Sequence, residues 1–193
     1  MVSALSGGET GLVHDIVVEW RLPRVTATVV FGIALGVSGA MFQSLTRNPL
    51  ASPDVIGFST GSYTGALIVI ILINGGYLEV AGGALLGGTV TAMLVYLLAW
   101  RRGVQGFRLI IVGIALSATL ASFNTWLMLT ADLEVAMAGA AWGAGSLNGV
   151  SWTQVDIGGV FIAALLVLAG MLSRPMRQME LGDDTAALPG VRI

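Results

Sequence analysis

The chain has 193 residues, of which 55% are hydrophobic and only 10% are charged, and its mean hydropathy is +0.87. In soluble domains about a quarter of the residues are charged. This composition therefore excludes an ordinary soluble domain and indicates a membrane protein. The net charge of −2 suggests no basic surface for nucleic acid, and the absence of cysteine excludes a disulfide framework and thiol chemistry.

Residues 1–24 are predicted to form a polar segment outside the membrane. They lack a basic stretch followed by an apolar core, so they are not a signal peptide. Residues 12–20, LVHDIVVEW, have apolar side chains at helical spacing and are compatible with a short surface helix.

Five apolar segments follow, each of about the length that crosses a bilayer core, roughly 20 residues. They predict an all-α fold, a polytopic bundle of five transmembrane helices within residues 25–173. Four of them carry small residues at every fourth position, which lets helix backbones approach closely. The spans are about 25–45, 55–73, 80–100, 108–130 and 153–173. The stripes are Gly32, Gly36 and Ala40; Gly57, Gly61 and Gly65; Gly83 and Gly87; and Gly113, Ser117, Ala121 and Thr125.

Arginine placement predicts the orientation, because basic residues concentrate on the cytoplasmic side. With the first span running inward, only Arg21 and Arg24 lie outside. The amino terminus is then outside and the carboxyl terminus inside. The arginines assigned to the inner side are Arg47, Arg101, Arg102, Arg108, Arg174, Arg177 and Arg192.

A polar hinge at residues 47–51, RNPLA, joins the first two spans at the inner surface. Ser52 fits a helix N-cap, Pro53 the first helical position, and Asp54 the positive end of the helix dipole. From the residues alone, this hinge is equally compatible with a functional loop and with a purely structural turn.

Two further segments are not spans. Residues 133–150 are too rich in glycine for a span and too apolar for a loop, so we expect a re-entrant or surface helix at the outer face. The alternative is a helix that only lies on the membrane surface and has no functional role. The tail, residues 174–193, predicts short helices that Pro175 opens, Gly182 breaks and Asp183 caps again.

The sequence offers little support for catalysis. Residues 57–61 match the G-x-S-x-G pattern of hydrolase nucleophiles. The single histidine, His14, is predicted outside and Ser59 near the inner surface, so the two cannot form a catalytic Ser/His pair. The spans contain no cluster of metal ligands, and without lysine the chain has no ATP-binding P-loop. Asn124 is one of few polar groups within the spans; it fits either a passage lining or a bridge between helices.

Several motifs occur together: RLPR at 21–24, QSLTRNPLASPDVIGFSTG at 43–61, AGAAWGAGSLNGVSW at 138–152 and ELGDDTAALPGV at 180–191. In order and spacing they resemble the permease subunits of ABC importers for iron-siderophores, cobalamin or haem, the FecCD-type family. The resemblance implies part of a type II ABC importer permease fold, covering about spans two to six. The first helix and the carboxyl-terminal half are missing, as expected of a fragment, a split gene or a mis-called start.

The resemblance also implies roles for particular residues. Arg21 and Arg24 would dock an extracytoplasmic substrate-binding protein, and Asn48 and Leu50 would form a cytoplasmic gate. Asn124 would line the pathway. Residues 174–193 would be a cytoplasmic segment that couples to the ATPase. The coupling residues are Leu181, Gly182, Asp183, Asp184 and Ala186. Pro189 and the pair Gly106-Phe107 depart from the family pattern.

The expected function is that of a non-enzymatic permease subunit in the bacterial cytoplasmic membrane, passing an iron-siderophore complex. A haem or cobalamin permease and a non-transporting scaffold fragment are the alternatives. The expected partners are an ATP-binding cassette ATPase, a substrate-binding protein, a second permease copy and membrane lipid. No cofactor is expected on this chain, because ATP would bind the ATPase subunit.

Overall fold

The computed structural model describes residues 12–100 and 106–180, and these residues are almost entirely helical. The elements are α1 (Leu12–Asp15), a π-helical turn (Ile16–Arg21), α2 (Leu22–Thr46), a 3-10 turn (Pro53–Ile56), α3 (Phe58–Ile68) with a π-helical end (Val69–Ile73), α4 (Tyr77–Ala99), α5 (Gly106–Thr130), α6 (Leu133–Ala144) and α7 (Trp152–Glu180). The predicted all-α fold is confirmed.

Four helical segments of the described chain are long and apolar enough to cross a membrane: Ile16–Thr46, Tyr77–Ala99, Gly106–Thr130 and Trp152–Ser173. The span predicted at 55–73 is shorter, with 11 residues in α3 and 5 in its π-helical end. At about 1.5 Å per residue this helix rises about 24 Å, less than the roughly 30 Å hydrocarbon core. Of the five predicted spans, four are therefore present as membrane-length helices, and the fifth is a shorter apolar helix.

The start of α3 explains the difference. Ser52 caps the turn Pro53–Ile56, since its Oγ accepts the Asp54 N–H at 3.3 Å, which confirms the predicted cap. The turn ends at Gly57, whose φ of 84° lies in the left-handed region that favours glycine. The capped element is thus a separate turn, and α3 begins at Phe58 instead of residue 55.

The first and last helices are longer than predicted. Residues 12–46 are helical without a break, so the helix suggested for residues 12–20 is present but continues directly into the first span. Pro23 is accommodated because a wide π-helical turn precedes it, where a regular helix would clash with its ring. Likewise α7 continues through Pro175 to Glu180, and the short helix expected to open at Pro175 does not form.

The chain divides into two compact units, residues 1–41 with 147–193 and residues 42–146. In the first unit, the described parts of α2 and α7 pack where the Phe31 ring lies against Gly158. The second unit contains the hinge, α3, α4, α5 and α6. Its hydrophobic core near the hinge comprises Phe42, Ala51, Ile56, Val95, Ala99 and Leu109.

Glycines bring α3 and α4 into backbone contact. A Cβ at Gly61 would lie 2.9 Å from the Gly87 carbonyl oxygen, and one at Gly65 would overlap the Gly83 carbonyl. Only glycine allows this approach, so the predicted role of these two stripes is confirmed. In α5, Gly113 meets the backbone of Ile56 in the same way.

Candidate functional site

The hinge after α2 is a well-defined helix end. Arg47 has a φ of 50°, and its N–H donates to the Ser44 carbonyl while the Asn48 N–H donates to the Gln43 carbonyl, at 3.2 and 3.1 Å. These two bonds form the Schellman motif that ends many helices. The predicted position of the hinge between two helix ends is therefore confirmed.

The two gate candidates differ in their surroundings. Asn48 is half-buried, and its Oδ1 accepts the Leu50 N–H at 3.0 Å, closing a local turn. Leu50 projects outward and is 88% exposed. Asn48 therefore shapes the hinge, and Leu50 is the side chain of the pair that is available for contact.

Ser59 is held by a neighbouring carboxylate. Its Oγ donates a hydrogen bond to Asp54 Oδ1, which ties the first turn of α3 to the 3-10 turn. No group of three or more metal-ligating side chains occurs among residues 12–100 and 106–180. The described residues thus give Ser59 a structural partner and provide no metal centre.

A cleft of about 460 Å³, with a mixed polar and apolar lining, opens between α3, α5 and α6. Its lining combines hydroxyl groups, one carboxamide, an aromatic ring and a thioether, with no charged side chain. The lining residues are Ser59, Thr60, Tyr63, Ala121, Asn124, Thr125, Met128 and Gly143. Its size falls within the range of small-molecule sites, and it can offer neutral hydrogen bonds and apolar contact.

Asn124 is the most buried polar group of this cleft, at 4% exposure. Its Nδ2 donates to the Thr60 carbonyl oxygen at 3.4 Å, and its Oδ1 is buried without a partner among the described residues. The Thr60 hydroxyl also lies 3.0 Å from the hydroxyl of Ser117, another residue of α5. Of the two readings of Asn124, the bridge between helices is present, and the residue also borders the cleft.

Tyr63 is a residue that the sequence did not single out. Its hydroxyl donates to the Gly139 carbonyl at 3.2 Å, and its ring stacks on Trp142 with centroids 6.2 Å apart. Gly143 lies against the same ring because a Cβ there would overlap it. The four-residue spacing of Gly139 and Gly143 was the available signal, since it marks a face that accepts a large neighbour.

The predicted helix at 133–150 is present as α6, residues Leu133–Ala144, and Tyr63 fixes it to α3. Arg21 and Arg24 are both exposed and lie three residues apart on one helical segment. The predicted coupling residues, from Leu181 to Ala186, lie outside the described residues. The helix α7 ends at Glu180, directly before them.

Comparison with known proteins identifies relatives of the whole chain. Residues 1–193 match the FecCD transport family. The chain is 49% identical over 191 residues to the ferric enterobactin transport system permease protein FepG of Escherichia coli, covering 99% of this chain and 58% of FepG. It is 37% identical to the achromobactin transport system permease protein CbrC of Dickeya dadantii, covering 92% of this chain and 52% of CbrC.

The fold also matches a solved structure. A metal-chelate type ABC transporter in an inward-facing conformation superposes with a TM-score of 0.85, covering 99% of this chain and 65% of that chain, at 23% identity. The chain thus spans somewhat more than half the length of these relatives. Because the family match covers every residue and the fold is a multi-pass helical membrane fold, the chain belongs to the FecCD transport family.

Proposed function

We propose that this chain forms part of the permease subunit of an ABC importer that carries a ferric siderophore across the bacterial cytoplasmic membrane. The observation that carries the proposal is the 49% identity to a ferric enterobactin permease over 191 residues. The expected partners are an ATPase that binds and hydrolyses ATP, an extracytoplasmic substrate-binding protein and a second permease copy. The chain itself needs no cofactor.

The cleft between α3, α5 and α6 supports this function as a stretch of the substrate pathway. Its side chains offer hydroxyl and carboxamide groups but no charge, so it can pass a chelate without trapping it by strong ion pairing. Asn124 Oδ1, buried without a partner in the described part of the chain, has an acceptor to offer if the helices shift. Leaving such a group unpaired costs about 1–3 kcal/mol, which favours an arrangement in which it gains a donor.

The hinge and the tail supply the parts that a motor would act on. Leu50 is exposed beside the helix end at Arg47, which suits a gate at the inner surface. The helix α7 leads without interruption to Glu180. Any force on Leu181, Gly182, Asp183, Asp184 or Ala186 would therefore reach the membrane part directly.

Arg21 and Arg24 suit the docking of an acidic partner on the outer side. Both side chains are exposed and lie on one continuous helix. Charged groups at the rim of an interface mainly set the association rate and its salt dependence. Arginines that only anchor a span at the membrane surface would affect neither quantity.

A chimera tests the proposed function. Residues 1–193 would replace the matching part of FepG in Escherichia coli cells that lack FepG, with the other components of that transport system present. We expect uptake of radioactive iron as ferric enterobactin, lost when Leu181→Glu and Gly182→Pro are introduced together. The control is the same chimera with Leu129→Ala, whose side chain is 80% exposed in the membrane part.

Three results would contradict parts of the proposal. A chimera that inserts into the membrane but carries no chelate would indicate a scaffold without a pathway. Uptake of haem or cobalamin in place of ferric enterobactin would assign a different substrate. Uptake that persists in the Leu181→Glu, Gly182→Pro variant would remove the coupling role of the tail.

A further inference from the structure

The wide helical turn ahead of Pro23 leaves the Val18 carbonyl without a backbone donor. Over Ile16–Arg21 the backbone is π-helical, and the Leu22 N–H donates to the Val17 carbonyl five residues earlier. In this register the next N–H would serve the Val18 carbonyl. That position is Pro23, which has no N–H. The proline thus removes the donor that the turn requires.

Trp152 supplies the missing donor from another helix. Its indole Nε1–H donates to the Val18 carbonyl oxygen at 3.0 Å, across 134 positions of sequence. Trp152 is the first residue of α7, and that helix start is itself fixed, since Gln154 Oε1 accepts the Ser151 N–H at 2.7 Å. The indole group is therefore presented from a defined position.

This bond is placed where it affects one arginine more than the other. Arg21 is the last residue of the wide turn, whereas Arg24 lies beyond Pro23 in the regular helix α2. A turn that has lost the donor to Val18 can open or return to the ordinary helical register. Either change rotates and displaces Arg21 relative to Arg24.

We propose that Trp152 is a positioning residue for docking: its hydrogen bond to Val18 holds the wide turn and so sets the direction in which Arg21 meets the substrate-binding protein. The proposal rests on the proposed function, in which Arg21 and Arg24 form the docking surface. It adds a specific physical link between that surface and α7, the helix that leads to the coupling segment. Trp152 itself need not touch the partner.

The first test is docking of the Escherichia coli ferric enterobactin-binding protein to the chimera in nanodiscs. Trp152→Phe keeps an aromatic ring and removes the N–H, and the loss of one neutral hydrogen bond corresponds to about a fivefold change in an equilibrium. We expect the association rate constant to fall by about that factor. The effect should shrink in an Arg21→Ala background and persist in an Arg24→Ala background. Equal effects in both backgrounds would overturn the proposal.

The second test uses rescue. Pro23→Ala restores a backbone N–H, so the helix can supply the Val18 carbonyl with its own donor in either register. Trp152→Phe should then change the association rate constant less than twofold in the Pro23→Ala background. A loss of the same size in the parent and in the Pro23→Ala background would show that the ring acts by packing, and the positioning role would be wrong.

Amide hydrogen exchange separates this inference from the proposed function. In the 193-residue chain, Trp152→Phe should speed exchange of the amides in Ile16–Leu22 by about fivefold, as expected for the same lost hydrogen bond. Trp126→Phe, which alters a ring 57% exposed on α5, should leave them unchanged. Unchanged exchange in Trp152→Phe would overturn the inference. A parent chimera that docks no binding protein would contradict the proposed function, and exchange alone would then decide whether Trp152 holds the turn.

Discussion

Helices α3 and α4 bring their glycines into contact, whereas a Cβ added at Gly32 or Gly36 of α2 would meet no described atom outside the adjoining backbone of α2 within 4 Å. Gly65 and Gly87 face each other's helix so closely that a Cβ on either would overlap a neighbour. Gly32 and Gly36 have the same four-residue spacing and open space beside them. Spacing therefore predicts a face that permits close approach, but the packing decides whether a partner is there.

The largest effect is expected where the contact is closest. Gly65→Ala places a Cβ on the Gly83 carbonyl, and because backbone cannot yield as a side chain can, we expect a loss of about 2–4 kcal/mol in the free energy of unfolding. The measurement is reversible unfolding in mixed detergent micelles. Gly82→Ala, on the same helix pair but in open space, is the matched control. Equal stabilities of the two variants would contradict the close contact.

An intermediate effect is expected at the attachment of α6. Tyr63→Phe removes the hydroxyl that donates to Gly139 but keeps the ring stacked on Trp142, so the expected loss is about 1 kcal/mol. Amide exchange in Leu133–Ala144 should rise at the same time. Tyr77→Phe, at a residue 59% exposed, serves as the control. If exchange in α6 stays at its original rate, the hydroxyl does not hold that helix.

The smallest effect is expected on the open stripe. Gly36→Ala meets no atom, and alanine favours a helix over glycine by about 1 kcal/mol at most, so the variant should be equally or slightly more stable. Unfolding in the same micelles measures it. A loss above about 2 kcal/mol would show that this face is covered in the membrane, and it would remove the contrast between α2 and the α3–α4 pair.

The membrane class, the helical fold and several local features could be predicted from the sequence because each depends on neighbouring residues. Hydropathy predicts which segments lie in the bilayer. Such segments form helices, because the bilayer core has no water to bond the backbone N–H and C=O groups. Ser52 caps its turn because its hydroxyl needs to reach only two residues along the chain. The hinge at Arg47 is local in the same sense.

The lengths of the helices could be predicted less well from the sequence. The sequence predicted a first span that begins at about residue 25 and a short helix that opens at Pro175, yet residues 12–46 and 152–180 are each helical throughout. A proline weakens a helix but does not end it where a wide turn or a neighbouring donor makes up for the missing N–H. At Pro23 that donor is Trp152, which no local pattern could indicate.

The contacts that define the candidate site were decided by the tertiary structure. Asn124 meets Thr60 across 64 positions, and Tyr63 reaches Gly139 across 76. Composition alone made Asn124 notable, as a polar group inside an apolar helix, whereas Tyr63 resembled any other membrane tyrosine. Which polar groups meet depends on how the helices are rotated and spaced. Local sequence sets where each helix lies along the chain, but only the packing of whole helices sets which of their faces come together.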